Sequence, residues 1–411
     1  MKSAEKVQAA AFSHRIDAAE ASAVREILKV TEKPEIISFA GGLPAPEFFP
    51  REEMAAAFSE AILEDGRASL QYSTTEGHAP LRQWIAERMA KRGIQCSPDQ
   101  VLVTSGSQQG LDLVAKALID SGDKVIVERP TYLAALQVFS LFEAQFISVD
   151  SDDDGMDTDD LERQLKRHPD TKLIYTIPNF QNPSGTTLAA DRRRRMIELA
   201  QQYGVRIAED DPYGELRYRG SAIPPVKAFD ATGSESLVTY LSSFSKTITP
   251  GLRVAWLITE PRLYSKLVMA KQASDLHAST VSQFAIQKYL AQGHYDTHVS
   301  RLCEVYGRRC QVMLDSLATH FPSDVRWTLP EGGMFLWAEL SKDDDTAKML
   351  QAAISAKVAF VPGAPFFADD RPSNFMRLNF SNQTPERIEQ GIKTLADVIN
   401  SFRASRGRQA A

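Results

Sequence analysis

The sequence predicts an α/β fold, a mostly parallel sheet covered by helices on both faces and followed by a smaller α/β domain. Three observations predict it. Short apolar runs recur at 101–104, 124–128, 172–176, 205–209, 237–241 and 254–258. Each is continuous rather than alternating, as strands buried on both faces require. Helical stretches separate them, which is the connection that parallel pairing needs. After about residue 260 the texture changes to long helical stretches and a few late strands.

Taken in order, residues 1–30 read as an arm in which Ala21-Ser-Ala-Val-Arg-Glu-Ile-Leu-Lys-Val30 has helical periodicity. Ile36-Ile-Ser-Phe-Ala-Gly-Gly-Leu-Pro-Ala-Pro46 runs extended into a glycine-proline turn, where a backbone comes close to something. A helix over 51–64, a polar irregular segment over 71–81 and a helix through residue 92 lead into the strands. Strand 101–104 is followed by a glycine-bounded turn and a helix to about 119; strand 124–128 is cut off by Pro130. Beyond the sheet, helices are expected over 261–292 and 297–321, strands over 332–339, 358–363 and 375–380, and a last helix over 385–401. Residues 402–411 are expected to fray. The charged runs at 151–155, 192–195 and 343–345 read as solvated loops or a helix face. The resulting division is an N-terminal arm over 1–50, a large domain over 51–292 and a small domain over 293–411.

Length and composition bound the function. A chain of 411 residues has room for a sizeable core. A net charge of −6 leaves no electrostatic footprint for nucleic acid or an anionic membrane. No apolar run approaches a membrane span, and the first residues lack the apolar core of a secretory signal. Cys96, Cys303 and Cys310 are odd in number and lack metal spacing, which suits a reducing cytoplasm.

The turns that follow the strands carry the chemistry. Ser105-Gly-Ser-Gln-Gln-Gly110 puts free N–H groups and a hydroxyl at a positive helix end, which suits a phosphate; a helix cap by Ser107 is the other reading. A Walker Gly-Lys-Ser/Thr is absent, which disfavours a nucleoside triphosphate. Tyr132, after Glu128-Arg-Pro-Thr, lies where a planar ring can stack, or it packs in the loop. Asn182 sits in the proline-stiffened turn Pro178-Asn-Phe-Gln-Asn-Pro-Ser-Gly185 and can offer its amide to a phenolic oxygen, or simply builds the turn. Asp210 and Asp211 end an apolar strand, and buried carboxylates call for a cation, such as a protonated ring nitrogen or a divalent metal. Tyr213 can reach the same ring. Lys246, in Ser243-Phe-Ser-Lys-Thr, stands among hydroxyls with Arg253 seven residues on, an amine held near an anion. Arg377, inside a late apolar strand, needs a carboxylate, from substrate or from an internal ion pair.

In this order the motifs resemble the class I/II aminotransferases of the fold-type I pyridoxal-phosphate enzymes. Ser38-Phe-Ala-Gly-Gly-Leu-Pro-Ala-Pro46, Leu70-Gln-Tyr-Ser73, Ala270-Lys-Gln-Ala-Ser-Asp-Leu-His277, Gly332-Gly-Met-Phe-Leu-Trp337 and Ala359-Phe-Val-Pro-Gly363 are similar to the 2-aminoadipate/kynurenine subgroup. The resemblance implies a seven-stranded, mostly parallel sheet, a homodimer with active sites at the subunit interface, and pyridoxal 5'-phosphate as cofactor. It gives Lys246 the covalent attachment and the proton shuttle, Asp210 the ring nitrogen, and Asn182 and Tyr213 the phenolic oxygen. Tyr132 would stack on the ring. Ser107, Gln108, Ser243 and Arg253 would hold the phosphate, with Tyr72 reaching it from the neighbouring subunit. Arg377, Asn182 and Gly42 would meet the substrate backbone, and Arg25, on the N-terminal helix, an acidic side chain. The implied reaction is ping-pong transfer of an amino group from an L-amino acid to a 2-oxo acid. A lyase, decarboxylase or synthase on the same scaffold is the second reading, and a non-catalytic effector-sensing regulator domain the third.

Overall fold

In the computed structural model, residues 12–17, 33–230, 235–369 and 374–410 are described, the last four without their side chains. The strands are β1 (Ile37–Ser38), β2 (Val101–Thr104), β3 (Lys124–Arg129), β4 (Gln145–Asp152), β5 (Gly155–Met156), β6 (Leu173–Thr176), β7 (Arg206–Asp210), β8 (Val238–Ser243) and β9 (Ala255–Ile258). They are followed by β10 (Arg326–Trp327), β11 (Phe335–Glu339), β12 (Val358–Ala359), β13 (Val361–Pro362) and β14 (Phe375–Asn379).

The large sheet has the order β2-β9-β8-β7-β6-β3-β4-β5. Pairing is parallel from β8 through β4, whereas β9 runs antiparallel to both its neighbours and β5 to β4. Seven strands make the body, as expected, and the two-residue β5 adds a hairpin at the edge. Both faces are covered, which explains the unbroken apolar runs. Val101 and Val103 pack with Met54, Ile85 and Ile286 of three helices, while Leu102 between them packs in a second cluster with Leu111 and Leu113. Farther along the sheet, Ile126, Ile174 and Ile207 meet Leu161 and Leu199.

This topology aligns the working ends. Strands β3, β6, β7 and β8 are parallel, and β2 shares their direction because two antiparallel steps through β9 separate it from β8. Thr104 and Ser243 both pair with Ala255, so the turns after β2 and β8 and the residues just before β9 meet on one edge. That edge, outside the carboxyl ends of the strands, is where open α/β sheets bind ligands.

The later chain forms a four-stranded antiparallel sheet, β10-β11-β14-β13, in which Arg377 on β14 lies opposite Trp337 and Val361. Segment 36–45 rides on this part of the molecule. β1 pairs with β12, Asn379 N donates to Phe39 O at 2.9 Å, and Ser381 Oγ donates to Leu43 O at 2.7 Å.

The structure corrects five readings. The expected helix 261–292 is two helices, Pro261–Asp275 and Thr280–Ala291, broken where Leu276 takes a left-handed φ of 65° and Ser279 caps the second. The expected strand 358–363 is split between two sheets at Phe360. The strand expected at 254–258 begins at Ala255, after a short 3-10 turn that Arg253 ends in the left-handed region. The last helix runs on to Ala410 rather than fraying after 401, because Arg403 reaches Asp324 at 2.8 Å and Asp344 at 2.7 Å. Two charged runs are not simply solvated: Asp344 is buried against Arg403 and Arg406, and Asp345 caps the helix Thr346–Ser355. Arg193 is buried too, donating to Leu188 O, Pro224 O, Pro178 O and Asn179 Oδ1, so it ties down the loop that carries Asn182.

Candidate active site

The strand ends enclose a cavity of about 360 Å³. It brings together Lys246, Asp210, Tyr213, Tyr132, Asn182 and Arg377 from turns and strands up to 245 residues apart, with Gly42 at the wall. Ser107, Gln108, Ser243 and Arg253 line one end. Two residues of the expected set are not among its lining: Tyr72, expected to reach a neighbouring subunit's phosphate, and Arg25. Tyr72 is 79% exposed and lies outside the cavity, its ring edge-on to His277. Arg25 falls outside the described residues.

The two neighbouring aspartates have different environments. Asp211 is saturated: Arg92 donates at 2.7 Å, Asn179 at 2.8 Å and Tyr240 at 2.9 Å. Burial alone would raise its pKa, but Arg92 and these donors hold it below the usual carboxylate range. Asp210 has one partner, the Tyr175 hydroxyl, which donates to Oδ2 at 3.0 Å. Its Oδ1 is buried without a partner, and burial pushes the carboxyl up to about 7. A lone buried acceptor on the cavity wall calls for a cation or a strong donor. Among the described residues no cluster of His, Cys, Asp and Glu can hold a metal. The observation fits the protonated ring nitrogen of the cofactor that the sequence resemblance implies.

Lys246 lies in the turn after β8, with Nζ donating to Gly42 O at 2.9 Å. Burial first, then the charges of Arg377 and Arg253, lower its pKa to about 8. An amine so placed is partly unprotonated near neutrality and can act as nucleophile or base. Arg377 donates to Asn182 Oδ1 at 2.8 Å and Ala40 O at 2.7 Å, and its guanidinium lies 4.4 Å from the Phe335 ring centre. Its Nε is buried and unpaired, and no carboxylate among the described residues lies within 4.0 Å of it. The internal ion pair is thereby set aside, and a carboxylate ligand has a vacant donor to meet.

At the far end, the helix Ser107–Leu118 is preceded by Gly106 at φ 86°, a conformation that suits glycine. A Cβ there would overlap the Arg253 guanidinium, so Gly106 also permits the close approach of that cation. Ser107 is the first helical residue and makes no cap, which decides against the capping reading. Free amides, Ser107 and Arg253 thus converge as an anion site. Ser243 is a poorer donor than expected, since its hydroxyl donates to Ser245 Oγ at 2.7 Å.

Sequence reasoning missed Tyr175 and Phe335. Tyr175 carries no signal, because an aromatic inside an apolar strand reads as core. Phe335 was legible only as part of the glycine-rich stretch 332–337, in which both glycines pack against Phe180.

Glu128 on β3 is 2% exposed and accepts from the backbone N of Ile177, a cavity-lining residue, at 3.0 Å, and burial raises its pKa from 4.5 to about 8. A carboxyl raised on folding contributes stability below its unfolded pKa that is lost as pH rises through the folded one. Glu128→Gln is therefore expected to flatten the decline of Tm between pH 5 and pH 8 relative to wild type. Thermal melts of the two proteins across that range check this.

Comparison with known proteins agrees with this geometry. Residues 40–395 match the family Aminotransferase class I and II. The chain is 46% identical to aromatic-amino-acid aminotransferase 1 of Thermococcus litoralis over 393 residues, covering 94% of each. The structure of Pyrococcus horikoshii kynurenine aminotransferase, solved with PMP, superposes with a TM-score of 0.91 at 42% identity, covering 95% of this chain and 97% of that one. The α-aminoadipate aminotransferase of Thermus thermophilus, solved with N-(5'-phosphopyridoxyl)-L-leucine, gives a TM-score of 0.89 at 39% identity, covering 96% and 98%. A buried amine, a carboxylate oxygen without a partner and a guanidinium without a carboxylate partner among the described residues, around one cavity and within this family match, lead to one conclusion: the chain belongs to the class I and II aminotransferases and is a pyridoxal-phosphate-dependent transaminase.

Proposed function

We propose that the enzyme takes the amino group of an L-amino acid with an aromatic, branched-chain or 2-aminoadipate-like side chain and passes it to a 2-oxo acid such as 2-oxoglutarate. The observation that carries the reading is the Arg377 guanidinium, which has no carboxylate partner among the described residues and an unsatisfied Nε, and which lines the same cavity as Lys246. Arg377 and Asn182 bind the α-carboxylate, with Gly42 beside it. Lys246 Nζ accepts the proton leaving the substrate Cα, a task suited to an amine with a pKa near 8. When bound, the cofactor supplies the aldehyde that carries the amino group and a ring that withdraws electrons from Cα. Asp210 holds the ring nitrogen, Asn182 and Tyr213 the phenolic oxygen, Tyr132 the ring face, and Ser107, Gln108, Ser243 and Arg253 the phosphate. The exposure of Tyr72 supports a homodimer in which that residue completes the partner's phosphate site. The same reading divides the chain at residues 50 and 292 and places the enzyme in the cytoplasm.

The test is a panel of amino donors against 2-oxoglutarate, reported as kcat/KM, with each half-reaction followed separately. Stoichiometric oxo acid supports transamination; ammonia or carbon dioxide in its place would support a lyase or decarboxylase. Arg377→Leu is expected to raise KM for every donor about 100-fold, the scale of losing a buried charged hydrogen-bonded pair. Arg25→Gln is expected to raise KM about tenfold for acidic donors and to spare apolar ones. Equal losses across the panel would remove Arg25 from the substrate site.

A further inference from the structure

The motif Ala270-Lys-Gln-Ala-Ser-Asp-Leu-His277 contains an ion pair that the reaction does not use. Lys271 is buried, and its Nζ donates to Asp275 Oδ1 at 2.8 Å, to Asp275 Oδ2 at 2.9 Å and to Gln109 Oε1 at 2.9 Å. Asp275 Oδ2 accepts from Gln109 Nε2 at 2.6 Å and Ser105 Oγ at 3.0 Å. Gln109 Oε1 in turn accepts from Ser105 N at 2.8 Å. The pair therefore grips both ends of the five-residue turn whose middle is Gly106, Ser107 and Gln108.

Helix stability does not account for this arrangement. Asp275 is the last residue of its helix, where the helix dipole disfavours a negative charge. Lysine four residues before an acid is also the weaker order for a helical pair. Burial of Lys271 is a further cost, and it lowers the pKa of that amine. What these costs secure is the conformation of another segment, the turn after β2.

We propose that Lys271 and Asp275 are positioning residues for the cofactor phosphate. They hold the 105–109 turn from behind so that its amides and Ser107 face the anion. Lys271 also neutralises Asp275, which would otherwise repel a phosphate bound in front of the turn. The inference rests on the phosphate site assigned above.

Titration of the apoenzyme with pyridoxal phosphate and with pyridoxal, which lacks the phosphate, tests it. Lys271→Met and Asp275→Ala are each expected to weaken pyridoxal phosphate about tenfold or more while pyridoxal changes less than about twofold. The double variant Lys271→Met/Asp275→Leu should recover part of the loss, since no unpaired charge remains. Gln109→Met removes the amide that bridges the pair to the turn, leaves Ser105 Oγ on Asp275 and buries no lone charge; it should show a smaller but still phosphate-selective loss even where Lys271→Met fails to fold. Equal losses for both ligands, or none, would overturn the proposal in favour of a purely structural pair. Wild-type enzyme that binds pyridoxal as tightly as its phosphate would overturn the phosphate site itself, and the clamp with it.

Discussion

Lys246→Ala is expected to lower kcat by at least about 10⁴-fold, because one side chain supplies both the nucleophile and the base. The surroundings of Nζ explain why no other group substitutes for it. Burial and two guanidinium charges hold its pKa near 8, and the hydrogen bond to Gly42 O aims it into the cavity. Among the described residues the cavity presents no second lysine and no histidine. Bound cofactor should remain detectable through its phosphate and ring contacts, with an absorption that reverts to that of the free aldehyde. Small amines added to the variant should restore part of the turnover. Turnover near the wild-type rate in Lys246→Ala would remove the residue from the reaction.

Much of the fold was legible because burial on both faces leaves a strong mark. The five strands between 101 and 241 that end at the site read as apolar runs broken by glycine and proline, and each turn after them reads as polar. β4 escaped because it pairs near the edge: Gln145–Asp152 is mostly half-exposed, so its polar residues resemble a loop. The break at Leu276 escaped for a different reason. No proline or glycine marks it, and the residue with positive φ is an exposed leucine in a tight turn that His277 N closes by donating to Asp275 O at 2.7 Å. At the site, residue types were legible and their partners were not. Asp210 and Asp211 are neighbours of equal chemistry in the sequence, and only the fold brings Arg92 to one and leaves the other with a single tyrosine. The clamp of Lys271 and Asp275 joins segments 162 residues apart at the Gln109 contact, a pairing that no local pattern signals.

That difference makes Asp210 the second decisive residue. Asp210→Asn is expected to lower kcat about 10³-fold, the scale of breaking a buried ion pair, and to do so at every pH, since the amide does not titrate. Tyr175→Phe should cost less, about tenfold, and should differ in kind. The tyrosine hydroxyl donates to the ionised carboxylate and so opposes the rise that burial imposes on Asp210. Without it the carboxyl stays neutral to higher pH, and a neutral acid holds a protonated ring nitrogen less well. The acid limb of the pH profile should therefore move upward in Tyr175→Phe, whereas Asp210→Asn lacks this titration altogether. Tyr175 carries no reacting group and, stacked edge-on to Phe139 at 5.6 Å, keeps its ring in place as phenylalanine. A profile for Tyr175→Phe that merely scales down, with its limbs unmoved, would make the tyrosine a packing residue and leave the ionisation of Asp210 to the bound ring alone.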